Sequence, residues 1–104
     1  MIVTTGNEIA GKKIVEVLGV VKGSTVRARN IGRDIGAGFK TMIGGEIKTY
    51  TEMTNNARDE AFNRMINLAI EKKADAIIGF RFATSMIMQG AAEMLAYGTA
   101  VKFK

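Results

Sequence analysis

The stretch ARDEAFNRMINLAIEKKADAIIGFRFA, residues 57–83, changes the spacing of its apolar residues part-way along. Up to about residue 73, apolar side chains recur every three or four positions, which is the spacing of an amphipathic helix. The next residues read as a strand, with Ala76, Ile78, Phe80 and Phe82 predicted on one face and Ile77, Gly79, Arg81 and Ala83 on the other. The stretch therefore predicts a long helix that is followed directly by a strand.

The predicted helix extends back to residue 47, and its apolar side chains form a wide arc. Its members are Tyr50, Met53, Ala57, Ala61, Phe62, Met65, Ile66, Leu68, Ala69 and Ile70. At about 100° per residue the arc covers roughly 180°, more than the roughly 100° stripe needed to lie on one sheet. We therefore expect the helix to contact two neighbours. The opposite side is predicted to face solvent and carries Asn56, Asp59, Glu60, Asn63 and Asn67.

Strand patterns stand on both sides of this helix in the chain. IVTT follows Met1, and IVEVLGVV at residues 14–21 continues into TVRAR at 25–29 as one long bent strand or two short ones. A turn at Gln89-Gly90 precedes EMLAYGTAVKF, residues 93–103. There Leu95, Tyr97, Thr99, Val101 and Phe103 alternate with Met94, Ala96, Gly98 and Ala100. The order predicts one α+β domain over residues 1–104, a small curled antiparallel sheet carrying one long helix.

Residues 30–46, NIGRDIGAGFKTMIGGE, contain five glycines. A phosphate-binding loop requires the spacing GxxxxGK[ST], and here Phe39 separates Gly38 from Lys40, so the spacing does not match. Helical spacing instead relates Ile31, Ile35, Phe39, Met42 and Ile43. The pattern predicts a short glycine-rich helix that approaches another surface closely, and we expect that surface to belong to another subunit.

The composition excludes several classes of function. The chain has no cysteine, histidine, proline or tryptophan, so it lacks thiol nucleophiles, thiolate and imidazole metal ligands, and the usual general base at neutral pH. We expect no enzymatic activity, no cofactor and no metal site, including no micromolar binding of zinc or cadmium. The soft donors Met86, Met88 and Met94 are expected to fill a core instead. No apolar run is long enough to span a bilayer and no signal pattern is present, so we expect a cytoplasmic protein.

The net charge of +5 is concentrated in one segment, residues 22–40. Lys22, Arg27, Arg29, Arg33 and Lys40 stand there against the single acid Asp34. Such a segment is typical of a solvated strand edge whose charges deter pairing. The alternative is an anion or nucleic-acid site formed by Arg27, Arg29, Arg33 and Lys40. Binding of nucleic acid would weaken steeply with salt, and we expect none at physiological salt.

The candidates for a subunit interface or a ligand site are Glu46, Tyr50, Arg58, Arg81 and Glu93. Glu46 either favours the start of the long helix through its charge or binds a cation or effector. Arg58 is predicted to project into the apolar arc, where it would form an intersubunit ion pair, with Glu46 or Glu93, or bind an anion. Arg81 is similar, and Tyr50 is a candidate hydrogen-bond partner of either arginine.

Four segments together resemble the YbjQ-like family of small bacterial and archaeal proteins, often labelled heavy-metal-binding domains. They are IVTT, GGEIKTYTEM, ARDEAFNRMINLAIEKKADAIIGFRF and EMLAYGTAV, and the resemblance covers nearly the whole chain. Lys73 departs from the pattern, which usually has glycine there. The resemblance implies a dodecin-like subunit, a homopentameric ring and no established catalytic activity. We therefore expect a non-enzymatic ring that binds a small ligand of unknown identity, or a metal ion despite the poor donor set, at its subunit interfaces.

Overall fold

A computed structural model describes residues 1–28 and 45–104, with side chains described for residues 1–26 and 55–104. Its elements in chain order are β1 (Ile2–Val3), β2 (Ile14–Ala28), α1 (Gly45–Glu71), β3 (Ala76–Met88) and β4 (Ala91–Phe103). The α+β class and the long helix predicted from the sequence are confirmed. The predicted short glycine-rich helix lies outside the described residues.

The four strands form one sheet in the order β1-β3-β4-β2. β4 pairs antiparallel with both β3 and β2, whereas β1 runs parallel to β3. The prediction of an antiparallel sheet is therefore wrong at the β1 edge, and the sheet is mixed. Because β2 and α1 intervene between β1 and β3, the connection is long enough to permit parallel pairing. The predicted turn at Gln89-Gly90 joins β3 to β4, with Gly90 at a φ of 81°.

The core lies between α1 and one face of the sheet. A row of residues four apart on the helix is buried, as expected for positions that share one helix face: Ala57, Ala61, Met65 and Ala69. The same cluster includes, from the sheet, Val21, Ile77, Met94, Ala96 and Ala100. Three of the four helix residues are alanines, so the helix backbone can lie close to the strands.

The helix and the sheet approach each other closely at Gly23 in β2. A Cβ atom there would lie 2.1 Å from the carbonyl oxygen of Ala61 and 2.5 Å from the amide nitrogen of Met65. Two residues further along β2, the buried hydroxyl of Thr25 donates a hydrogen bond to the carbonyl oxygen of Ala57 at 3.1 Å. Glycine at position 23 is therefore required for this packing distance, and Thr25 adds a directional contact.

The alternation predicted for β4 is confirmed, because Met94, Ala96, Gly98 and Ala100 are all buried. The alternation predicted for β3 is wrong at Gly79, which has a φ of 63°. The register between β3 and β4 shifts there, between Ile78 and Arg81, as happens where a bulge adds a residue to one strand. Consequently Ile77 and Phe80 both pack against the core, although the sequence pattern placed them on opposite faces.

Of the two interpretations of β2, a single strand is confirmed. Its register with β4 shifts twice, between Ile14 and Glu16 and between Val17 and Gly19. Bulges of this kind bend a strand, and Gly19 adopts a φ of 112° that favours glycine.

The helix ends in a capping arrangement centred on Lys73. The amide of Lys73 donates to the carbonyl of Ile70 at 2.9 Å, and the amide of Ala74 donates to that of Ala69 at 3.0 Å. This bond pair is the Schellman motif, in which the residue at position 73 adopts a left-handed conformation. Lys73 has a φ of 61°. Glycine is favoured at such a position, so lysine carries a steric cost there.

Candidate functional site

The far half of β3, residues 82–88, is an uncovered and largely apolar surface, called here the distal edge. All seven residues are exposed, including Phe82 at 43%, Met86 at 80%, Ile87 at 56% and Met88 at 57%. The segment contains no charged residue. Large exposed apolar patches of this kind mark interaction surfaces.

The backbone of the distal edge is also available for pairing. β1 pairs with β3 only at Ala76 and Ile77, and the N-terminal loop extends this cover to Phe80, whose amide donates to Thr4 O at 3.0 Å. Among residues 1–28 and 45–104, no strand pairs with the outer side of β3 beyond that point. An edge with free N–H and C=O groups and apolar side chains is a template for another strand.

An aromatic row connects the distal edge to the helix. The ring of Phe62 lies edge-to-face on Phe80, with centroids 5.4 Å apart, and Phe80 lies in the same way on Phe82 at 4.9 Å. Next to this row Ile66 is half-buried, and Ile70 is 57% exposed. One flank of the wide apolar arc is thus left without the second neighbour predicted for it, as far as the described part of the subunit shows.

The prediction that Arg58 projects into the apolar arc is wrong within the subunit. Arg58 is exposed, and its guanidinium donates to the side-chain oxygen of Asn55 at 3.4 Å. The buried row runs through Ala57 and Ala61, and a step of one residue turns the side chain by about 100° away from it. Glu93, a predicted partner of Arg58, instead accepts a hydrogen bond from the Ser24 hydroxyl at 3.1 Å.

Arg81 is exposed and joins the N-terminal loop to β3. Its guanidinium donates to the carbonyl oxygens of Thr5 at 2.9 Å and Phe80 at 2.7 Å. These contacts lie at the end of the N-terminal cover of β3, where the distal edge begins. The structure thus places Arg81 at the border of the distal edge.

Several predicted residues lie wholly or partly outside the described part of the chain. Glu46 and Tyr50 occupy the first turns of α1, but only their backbone is described. Arg27 is opposite Ala92 in the β2–β4 register, without a described side chain. Arg29, Arg33 and Lys40 lie outside the described residues. The predicted anion site therefore has no described geometry.

The methionines are placed differently from one another. Met94 is 4% exposed and belongs to the core, which confirms its predicted packing role. For Met86 and Met88 that prediction is wrong in the subunit, because both lie on the distal edge. Their partners in β4 are the neighbouring residues Ala92 and Ala91, with a register shift between them. Neighbouring positions of a strand face opposite sides of the sheet, so the two thioethers do not converge.

A feature that the sequence patterns did not reveal is a cleft beside the N-terminal loop. It has a volume of about 470 Å³ and is lined by Asn7, Glu8, Ile9, Lys12, Lys13 and Ile14. The charge analysis concentrated on residues 22–40 and passed over the adjacent lysines at 12 and 13. The sequence signal that could have found this cleft is Gly11 followed by two lysines, a turn residue that presents paired cations.

A family model described as "Putative heavy-metal-binding" matches residues 1–104. The chain belongs to this YbjQ-like family. A UPF0145 protein of Methanoculleus marisnigri is similar to it, 59% identical over 98% of this chain and 95% of the relative. A UPF0145 protein of Thermosipho africanus is 56% identical over 100% of this chain and 96% of the relative.

A solved YbjQ-like neighbour supports the fold. The crystal structure of a Pediococcus pentosaceus protein of unknown function, assigned to the DUF74 family, superposes with a TM-score of 0.68 at 22% identity, covering 100% of this chain and 98% of that one. At this identity the similarity concerns the fold alone.

The metal named in the family description does not fit the donors of this YbjQ-like chain. The sequence has no cysteine or histidine, and residues 1–28 and 45–104 contain no group of three or more acidic side chains that could hold a metal ion. Soft heavy metals select thiolates and thioethers, and the exposed thioethers Met86 and Met88 face apart. The same residues include no helix long and apolar enough to cross a membrane.

Proposed function

We propose that this protein is a non-enzymatic subunit of a homo-oligomeric ring, most simply of five copies, whose subunit interfaces bind a small ligand. The observation that carries the proposal is the distal edge, where exposed apolar side chains and unpaired backbone coincide. Its seven residues lie beside an exposed helix flank, so one partner subunit could cover both surfaces. The number five rests on the resemblance to the family.

The topology favours a closed ring over a two-fold dimer. The sheet has two different edges, β3 with its short β1 cover on one side and β2 on the other. Contact between unlike surfaces of successive copies is heterologous, and such contacts close into rings when the rotation permits. The exposed residues of β2 include Val15, Val17, Val20 and Val26, so the second edge also offers apolar side chains.

The absence of cysteine and histidine supports a non-enzymatic role. The chain has no cysteine or histidine, and Arg64 forms an ion pair with Glu60 on the exposed surface of the helix. A general base poised near neutral pH would need one of these residue types or a strongly perturbed carboxylate. A ring of subunits that presents a repeated ligand site is the simpler interpretation.

The assembly is tested by native mass spectrometry of protein purified without chelator, together with sedimentation velocity. We expect one species at five times the 11.2 kDa subunit mass, and this spectrum also reports any bound small molecule. A monomer that persists as the concentration rises would overturn the proposal. Another closed stoichiometry would retain the ring and reject the number five.

The role of the distal edge is tested by Met86→Lys against Asn67→Lys. Both substitutions add one positive charge at an exposed position, but Asn67 lies on the polar face of α1. We expect Met86→Lys to dissociate the oligomer, because burying an unpaired ammonium in an apolar contact is costly, and Asn67→Lys to leave its mass unchanged. Equal behaviour of the two variants would exclude the distal edge from the interface.

The intersubunit ion pair proposed for Arg58 is tested separately by Arg58→Leu. If Arg58 pairs with a carboxylate of a neighbouring copy, removing it leaves that carboxylate unpaired and weakens the ring, by about 3–5 kcal/mol when the pair is fully buried. An unchanged oligomer size with an unchanged or raised melting temperature would reject the ion pair and favour an anion site at Arg58.

A further inference from the structure

The cleft beside the N-terminal loop is held at both ends by backbone hydrogen bonds. At its start the carbonyl of Gly6 accepts from the amide of Gly79 at 2.8 Å, and at its end the carbonyl of Lys13 accepts from Lys104 at 2.9 Å. Both partners lie in or directly after the long strands β3 and β4. The loop between residues 6 and 13 is therefore anchored to the sheet at two points, which sets the width of the cleft.

A turn within the loop separates two groups of polar residues that line the cleft. The amide of Lys12 donates to the carbonyl of Ile9 at 3.1 Å, and Gly11 between them has a φ of 77°, a conformation that favours glycine. Asn7 and Glu8 precede this turn and Lys12 and Lys13 follow or close it, and all four line the cleft. Polar groups of both kinds thus converge on one space.

The lysines of the cleft have no carboxylate partner in the described part of the chain, where no ion pair involves Lys12 or Lys13. The Nζ atom of Lys12 lies 5.9 Å from the centroid of the Phe103 ring, a weak cation–π contact at the rim that leaves its donors available. One carboxylate, Glu8, lines the same cleft, so the lining carries a surplus of positive charge.

The size and chemistry of the cleft indicate the class of ligand. A volume of about 470 Å³ falls within the roughly 300–1,000 Å³ of small-molecule sites. Lysine ammonium groups bind phosphate as point charges, the Asn7 amide both donates and accepts, and the Glu8 carboxylate accepts from hydroxyl or amino groups. The half-buried Ile9 and Ile14 provide an apolar wall. Inorganic phosphate alone would leave most of these groups unused.

We propose that this cleft binds a small organic phosphate monoester, with Lys12 and Lys13 contacting the phosphate and Asn7 and Glu8 contacting hydroxyl or amino groups of the organic part. The site is distinct from the distal edge and from the basic segment at residues 22–40. It lies at the end of the sheet where β2 begins and β4 ends, about 40 Å along the strands from the β3–β4 turn at some 3.3 Å per residue. Binding there does not depend on the proposed ring.

The test is calorimetric titration of the full chain with AMP, ribose 5-phosphate and inorganic phosphate near physiological salt. We expect one of the two monoesters to bind with a Kd below about 1 mM and at least about tenfold more tightly than inorganic phosphate. The double variant Lys12→Gln/Lys13→Gln should weaken that monoester by about tenfold or more. Lys22→Gln, which removes an exposed lysine on β2 outside the cleft, should change nothing.

A second variant separates the two halves of the proposed site. Asn7→Ala should weaken the monoester but leave inorganic phosphate unaffected, since Asn7 is assigned to the organic part. Circular dichroism of each variant reports whether the fold is retained. We expect that it is, because the substituted residues are exposed. The proposal is overturned if neither monoester binds at about 10 mM, or if Lys22→Gln weakens binding as much as the double variant. If inorganic phosphate binds as tightly as both monoesters, an organic phosphate monoester is rejected as the ligand class.

Discussion

β3 and β4 are neighbouring strands of thirteen residues each, yet their surroundings differ sharply. In β4 buried positions recur along the whole strand, whereas β3 is exposed at every residue from Arg81 to Met88. Both strands are rich in apolar residues, with FATSMIM in one and AAEMLA in the other. The difference arises because β4 lies mid-sheet between β2 and β3 and also contacts α1, whereas β3 lies near an edge and has little contact with the helix. The burial of these two strands follows from their places in the sheet and from their contact with the helix, which apolar composition alone does not reveal.

We expect the largest difference in stability between substitutions of two methionines, one on each strand. Met94→Ala in β4 should lower the free energy of unfolding by about 2–5 kcal/mol, because it removes a buried side chain and leaves a cavity. Met86→Ala in β3 should change the stability of the subunit by less than about 0.5 kcal/mol while weakening assembly. Denaturant unfolding and sedimentation measure the two effects. If the two variants lose similar amounts of unfolding free energy, Met86 and Met94 are buried to a similar extent and the comparison fails.

Gly23→Ala tests whether the helix lies as close to the sheet as the structure indicates. The added Cβ would meet backbone atoms of Ala61 and Met65 at 2.1 and 2.5 Å, so the helix must shift, at a cost of about 3 kcal/mol. Gly6→Ala is the control, since its Cβ would have 3.7 Å to the nearest atom. Thermal unfolding of both variants checks the prediction, and a Gly23→Ala protein as stable as the control would contradict it.

A smaller effect is expected from two threonines, one under the helix and one on the distal edge. Thr25→Val removes the hydrogen bond to Ala57 O and should cost about 0.5–1.5 kcal/mol. Thr84→Val is exposed on β3 and should be neutral within about 0.5 kcal/mol. Urea unfolding of the pair measures the difference, and a neutral Thr25→Val would mean that this bond adds nothing to the helix–sheet contact.

We expect the smallest effect at the C-terminal end of α1. Lys73→Gly should raise the free energy of unfolding by about 0.5–1 kcal/mol, because glycine adopts a φ near +61° without the steric cost of a Cβ. Lys72→Ala removes the same charge without changing the capping residue and serves as the control. A rise in melting temperature for Lys73→Gly alone is the expected result, and a loss of stability would point to a contact of the Lys73 side chain.

The elements of the fold were largely predictable because their periodicity extends over many residues. The buried row at Ala57, Ala61 and Met65 and the alternation at Met94 and Ala96 are visible in the sequence. β1 has two residues, too few to show a period, so its parallel pairing could not be predicted. The bulge at Gly79 reverses the faces of β3, and a lone glycine in a strand does not specify whether a bulge forms.

The candidate sites were less predictable than the fold. The exposure of Arg58 depends on where the buried arc of the helix ends. Arg58 follows the buried Ala57 directly, so an error in the predicted edge of the arc moves its side chain from the core to solvent. Met86 and Met88 have the composition of a core strand, and only the position of α1 shows that they are uncovered. The cleft at Lys12 and Lys13 forms through contacts with β3 and β4, which lie far away in the chain.

The parallel pairing of β1 has a consequence for how the chain folds. Ile2 pairs with Ala76, 74 residues later. β1 is synthesised first and therefore cannot pair until β3 has left the ribosome. A two-residue strand is too short to hold its place alone, and contacts this distant in sequence form slowly. During synthesis the N-terminal amides therefore remain hydrated until β3 and β4 have formed. In the finished subunit we expect this two-residue pair to exchange its amide hydrogens before the pairs between the long strands.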